Sequence, residues 1–208
     1  MMYVVQICRL QHIHTRSFIH RDLKPRNVLV GAGNNAHIIY LVDFNLSKQY
    51  RNPNTHVHIM PGHTTSFIGT PAFASINGHL GLELGRRDDL ESLVYLLIYL
   101  VRGCLPWLGR ETTSDSTVLD MKRNVDELCR ELPCEFRHML NYLHGLAFHD
   151  KPNYDHLRAL VQKLRSGSSE AEGALLDWLP KIESETTALH QPDTTRIASP
   201  NVELCSPL

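Results

Sequence analysis

One short segment holds residue types suited to a group-transfer reaction: His20-Arg21-Asp22-Leu23-Lys24-Pro25-Arg26-Asn27. A carboxylate, an ammonium and an amide follow one another at Asp22, Lys24 and Asn27. Moving a phosphoryl group onto a hydroxyl needs an oriented nucleophile and compensation for charge on the phosphoryl oxygens. Asp22 can accept the hydroxyl proton and position the nucleophile. Lys24 can neutralise the moving group, and Asn27 can supply an oxygen to a magnesium ion. A carboxylate is a weak base, so positioning contributes more than basicity.

These side chains need a frame, and the patterning predicts one. Tyr3, Ile7 and Leu10 fall at i, i+4 and i+7, the spacing of an amphipathic helix. Val28-Leu29-Val30 and Ile38-Ile39-Tyr40-Leu41-Val42 flank a Gly/Asn-rich turn and predict a β-hairpin. Residues 45–87 are irregular, and so long a stretch is usually functional or mobile. Asp88, with Glu91 three residues on, resembles a helix N-cap. The uncharged apolar run Leu93 to Val101 predicts a buried core helix, stopped by Arg102-Gly103. Two amphipathic helices follow. One carries Phe136, Leu140, Leu143 and Ala147 on one face, the other Leu157, Leu160, Val161 and Leu164. From about Thr186 the composition turns to Thr, Ser and Pro, and residues 181–208 are expected to be a disordered tail.

Composition bounds the function. The chain has 208 residues with 21 Lys+Arg against 22 Asp+Glu, a near-neutral balance that argues against a polybasic nucleic-acid binder. No apolar run reaches about 18 residues, so no membrane span is expected. Cys8, Cys104, Cys129, Cys134 and Cys205 are odd in number and scattered. That suits free thiols in a reducing setting, cytoplasmic or nuclear. Cys129 and Cys134 sit on a helical pattern and are expected to be core thiols.

The opening segment matches H-R-D-L-x-x-x-N, the protein-kinase catalytic loop. Five fixed positions at roughly one in 20 each make a chance match on the order of 10⁻⁴ in such a chain. Asp43-Phe44-Asn45 follows the hairpin where kinases place D-F-G, which makes Asp43 the principal magnesium ligand by likeness. Asn45 replaces the glycine, and Asn tolerates left-handed backbone, so the turn is expected to survive.

Gly69-Thr70-Pro71-Ala72-Phe73-Ala74-Ser75-Ile76-Asn77 and Arg86-Arg87-Asp88-Asp89-Leu90-Glu91-Ser92 then resemble the casein kinase I family. Leu105-Pro106-Trp107 and Asp150-Lys151-Pro152-Asn153-Tyr154 carry the same likeness, which runs from about residue 3 to about 180. It implies a mainly α fold with a small β-hairpin: a protein-kinase-like C-terminal lobe, residues 1–180, without the β-rich N-terminal lobe. It implies ATP-dependent phosphorylation of protein Ser/Thr hydroxyls with magnesium. The catalytic residues would be Asp22, Lys24 and Thr70. Lys24, Asn27 and Asp43 would meet ATP–Mg2+, and Asn27 and Asp43 would hold the metal. Thr70 would contact Asp22 and Lys24, and Asp89 would brace the catalytic loop.

The departures shape the expectation. A kinase places its Gly-rich loop, its V-A-I-K lysine and that lysine's glutamate partner before the catalytic loop, and only 19 residues precede His20 here. This chain alone is therefore expected to be inactive. A non-catalytic pseudokinase-type binding module and a truncated gene product are the alternatives. The family reads pre-phosphorylated substrates through basic residues. Here the corresponding places hold Met60-Pro61-Gly62-His63 and Thr112-Thr113-Ser114-Asp115, so that anion site is expected to be lost.

Other patterns lead nowhere. Gly31-Ala32-Gly33-Asn34-Asn35-Ala36 fits G-x-G-x-x-A, but a strand pattern follows where a dinucleotide site needs a helix. His56, His58 and His63 lack the partners of a tetrahedral metal site.

Overall fold

The computed structural model describes residues 2–109 and 114–166. The domain end expected near 180, the tail 181–208, Cys205, and Thr112 and Thr113 lie outside the described residues. The chain opens with α1 (Met2–Thr15), β1 (Phe18–Ile19), β2 (Val28–Val30), β3 (Ile39–Leu41) and β4 (Lys48–Gln49). It continues with α2 (Ile76–His79), α3 (Arg86–Arg102), α4 (Asp115–Arg123), α5 (Val125–Leu128), α6 (Cys134–His144) and α7 (Tyr154–Ser166).

The core is built around α3, which packs on α1 and α6, while α7 covers α1 and α6. Leu90 and every residue from Leu93 to Ile98 are buried on it. Burial ends there: Leu100 and Val101 are 41% and 49% exposed, so the apolar run outlasts the core by a turn. The start also differs from expectation. Gly85 is the N-cap, and Asp88 is the third helical residue, its Oδ2 accepting the Gly85 N–H at 2.7 Å. Glu91 caps nothing on its own helix. It accepts from the Ile76 N–H at 2.9 Å and the Tyr95 hydroxyl at 2.7 Å. At the other end Gly103 takes a left-handed φ of 79° and its N–H reaches Tyr99 O at 2.8 Å.

Around this axis the amphipathic helices bury their expected faces except at Ala147, which is exposed because α6 ends at His144, three residues before it. Phe136, Met139, Leu140 and Leu143 of α6 are buried, as are Leu157, Leu160 and Val161 of α7. Each such side chain contributes roughly 1.5–3 kcal/mol by leaving water. Cys129 is buried, and burial pushes its thiol up to about 11. Cys134 is exposed, against expectation. It stands two residues before Phe136, and two helical residues turn the side chain about 200° from the apolar face.

β2 and β3 pair antiparallel with Val28 opposite Leu41 and Val30 opposite Ile39. Val28, Ile39 and Leu41 turn inward, while Leu29, Val30 and Tyr40 are exposed. β1 pairs with β4, and Ile19, Tyr50 and Leu84 close a second small apolar cluster beneath them. Between 45 and 85 only β4 and the one-turn α2 are regular, and α3 begins at Arg86, inside the end of the stretch expected to be irregular. Among the described residues no helix is long and apolar enough to cross a membrane.

Candidate active site

The loop after β1 is fastened to the core by one carboxylate. Asp89, in the first turn of α3, accepts the His20 N–H at 2.7 Å and the Arg21 N–H at 2.8 Å. His14 of α1 adds a contact from Nε2 at 2.9 Å, and its Nδ1 meets the Tyr154 hydroxyl of α7 at 2.7 Å. The loop and α1 therefore meet Asp89 of α3 directly, with α7 joined through His14, and Asp89 is 3% exposed. Burial works to raise its pKa. The His14 hydrogen bond and charge, with the His20 and Arg21 amides, outweigh burial and hold it below the usual carboxylate value.

Held in this way, the loop takes alternating directions. Arg21 adopts a left-handed φ of 69°, and its Nε donates to Leu46 O at 2.6 Å. Leu23 is buried in the main core, and its neighbours Asp22 and Lys24 gather on the other side. Pro25 opens a 3-10 turn that closes at Asn27, because its fixed φ suits the first helical position. Asn27 is 4% exposed, and its Nδ2 donates to Asp22 O at 2.8 Å.

The predicted catalytic residues form a triangle. Lys24 Nζ lies 2.6 Å from Asp22 Oδ2, Thr70 Oγ1 donates to Asp22 Oδ1 at 2.7 Å, and Lys24 Nζ donates to Thr70 Oγ1 at 3.2 Å. Thr70 reaches Asp22 because Gly69 has no side chain. At Gly69 the φ is 94°, and a Cβ would sit 2.6 Å from Arg21 O. With Oδ1 and Oδ2 both engaged, Asp22 is a positioned acceptor rather than a mobile one.

Asp43 enters from the hairpin. Val42 N–H donates to Asn27 O at 3.0 Å, and His20 Nε2 contacts Val42 O at 3.0 Å, so the strand end is tied to the loop. Asp43 is exposed and makes no hydrogen bond or ion pair with the described residues. The left-handed residue here is Asp43, with φ 65°, and Asn45 stays outside that region, which corrects the expected use of Asn45. A short carboxylate side chain tolerates that conformation. Phe44 is half exposed and its ring lies 5.1 Å from that of His20.

Donor chemistry fits a hard cation. With Asn27 Nδ2 bound to Asp22 O, the amide oxygen is left over, and Asp43 adds free carboxylate oxygens. Magnesium takes such oxygens alongside water and phosphate oxygens. The histidine decoys resolve otherwise. His58 packs against Tyr50, Phe148 and His149, and no His/Cys/Asp/Glu group fit for a metal occurs among the described residues. Gly33–Asn35 forms a 3-10 turn followed by β3, not by a helix.

Sequence reasoning passed over His14 and Lys122. His14 left no signal beyond a histidine at a helix end. Lys122 did leave one: it is spaced four residues after Val118 and three before Val125, on the apolar face of its segment.

The family model described as protein kinase domain matches residues 1–171.

Proposed function

Because the chain belongs to the protein kinase domain family, we propose that its chemistry is that of a casein kinase I-like Ser/Thr protein kinase. It would pass the γ-phosphoryl group of ATP, with Mg2+, to serine or threonine hydroxyls of protein substrates. The observation that carries this reading is the Asp22–Lys24–Thr70 triangle.

In this reading Asp22 receives the proton of the substrate hydroxyl and aims its oxygen. Lys24 supplies positive charge to the group in flight, and Thr70 holds Asp22 in its orientation. Asn27 and Asp43 would hold the magnesium, which neutralises charge on the phosphate oxygens when bound. A second reading, a non-catalytic module that engages proteins, is supported by the exposed apolar side chains Leu29, Val30, Tyr40 and Phe44 beside this site.

The deciding experiment uses the chain joined to a nucleotide-covering small lobe. There Asp22→Ala and Asp43→Ala should each abolish transfer to casein, since positioning and charge neutralisation are separate requirements. Turnover near that of the parent with either change would end the kinase assignment in favour of the binding module. With Gly62 and Asp115 where the family carries basic residues, phospho-primed peptides should gain under about tenfold, roughly 1.4 kcal/mol, over unprimed ones.

A further inference from the structure

Lys122 of α4 is 0% exposed, although it is a lysine on a helix with a solvent face. Its Nζ donates to Ala74 O at 2.6 Å and to Pro71 O at 3.0 Å, and lies 3.0 Å from His79 Nε2. The rings of Tyr95 and Trp107 each stand 4.9 Å from the same nitrogen. Trp107 Nε1 donates to Ala72 O at 2.8 Å, so the carbonyls of residues 71, 72 and 74 are all held from this side. The turn they belong to folds back on Thr70: the Phe73 and Ala74 N–H groups both donate to Thr70 O at 3.0 Å.

We propose that Lys122 is a positioning residue for the phosphoryl-transfer site, gripping the turn whose first residue is Thr70 and so setting the Thr70 hydroxyl on Asp22. This rests on the kinase reading of the Asp22–Lys24–Thr70 triangle. The stakes are set by desolvation. Removing the amine leaves Ala74 O without its donor and leaves Pro71 O with His79 Nε2 alone, at 3.1 Å, and buried acceptors are costly to leave unpaired.

Both protonation states of Lys122 fit the cage. The ammonium has three hydrogens for Pro71 O, Ala74 O and His79 Nε2. The neutral amine still donates to both carbonyls and can turn its lone pair to a protonated Nε2. Burial pulls the Lys122 ammonium down to about 7, and Glu91 of α3 opposes that. Burial, followed by the Lys122 charge, lowers His79, while its hydrogen bond to Pro71 O opposes most, ahead of Asp115 of α4 and Glu91. His144 of α6 faces Glu91 at 3.4 Å, and the Tyr95 hydroxyl occupies the same carboxylate.

A depressed lysine has a defined linkage. Between about 7 and its ordinary 10.5, an opened, hydrated Lys122 binds a proton that the closed cage does not. Opening of the turn is therefore disfavoured as pH rises through that window, by up to about tenfold per pH unit.

The test is amide hydrogen exchange on the full chain from pH 6 to 9, expressed as protection factors. We expect protection of the Phe73 and Ala74 amides to rise above about pH 7 in the wild type. In Lys122→Met it should be at least tenfold lower at pH 8 and should lose that rise, while Leu140 and Leu143 of α6 keep theirs. The Thr70 methyl resonance should shift in the same variant. A flat wild-type profile overturns the proposal, as does a loss of protection spread evenly through α6. If Lys122→Met does not fold, the wild-type profile and the nitrogen-15 titration of Lys122 Nζ decide: an ordinary lysine titration overturns it. None of these readouts involves phosphoryl transfer, so absent kinase activity would count against the kinase reading alone.

Discussion

Thr70 donates its hydroxyl hydrogen to Asp22 Oδ1 at 2.7 Å, across 48 residues of sequence. That bond fixes the acceptor oxygen that a substrate hydroxyl would meet. Thr70→Val removes it and keeps the shape. In the lobe-joined form, turnover is expected to fall on the order of 10²-fold, the scale of an ångström-sized misplacement. Thr70→Ser should restore most of it. Steady-state kinetics of the pair decide, and an unchanged kcat in the valine variant would remove Thr70 from the machinery.

Gly69 is the hinge of that approach. An alanine there meets Arg21 O at 2.6 Å in a conformation with φ 94°. The strain alone costs about 1–3 kcal/mol. Gly69→Ala should therefore lower the urea midpoint and displace Thr70 together. A variant as stable as the parent would show that the loop adapts.

Asp88 and Asp89 are neighbours with opposite pH behaviour. Burial raises Asp88 to about 6, against the Gly85 N–H and the Asn77 and Ser75 side chains. Between 3.8 and about 6 the folded state then binds more protons than the unfolded one, so this group's contribution to stability falls as pH rises. The size is roughly 3 kcal/mol. Asp89 is depressed, so its contribution is complete above the ordinary carboxylate pKa and is lost as pH falls below it. Urea unfolding from pH 4 to 7 should show a decline in the parent that Asp88→Asn lacks. Parallel curves for the two proteins would contradict the assignment.

A polypeptide of these 208 residues should hold Mg–ATP more weakly than about 100 μM, since micromolar affinity needs about 8 kcal/mol of net binding free energy. Asp43 lies exposed, and Leu29, Val30 and Tyr40 of the hairpin face water rather than a closed cleft. Calorimetry measures this directly. Saturable binding tighter than 100 μM, above roughly 5 kcal/mol, would refute it.

What the sequence determined by itself was local. The stretch from His20 to Asn27 carries its chemistry in contiguous spacing, and the hairpin and the α3 run follow from short-range alternation and continuous apolarity. The tertiary structure decided the rest. Asp88 looked like a cap and proved to be the third residue of the helix, its carboxylate accepting the N–H of the N-cap Gly85. Cys134 shared a helix with core residues yet lies outside, since one residue's angle around a helix sets its face. The convergence of His14, His20, Arg21 and Tyr154 on Asp89 and its partner His14 joins residues up to 140 apart. The Lys122 cage is of the same kind, reaching back 48 and 51 residues to Ala74 and Pro71. Short-range patterns report which face of an element is apolar. Which buried polar group finds which partner depends on how distant elements pack, because an unpaired buried donor or acceptor is costly and most are satisfied by whatever the fold brings near; the Gln6 amide, buried with no partner among the described residues, is an exception.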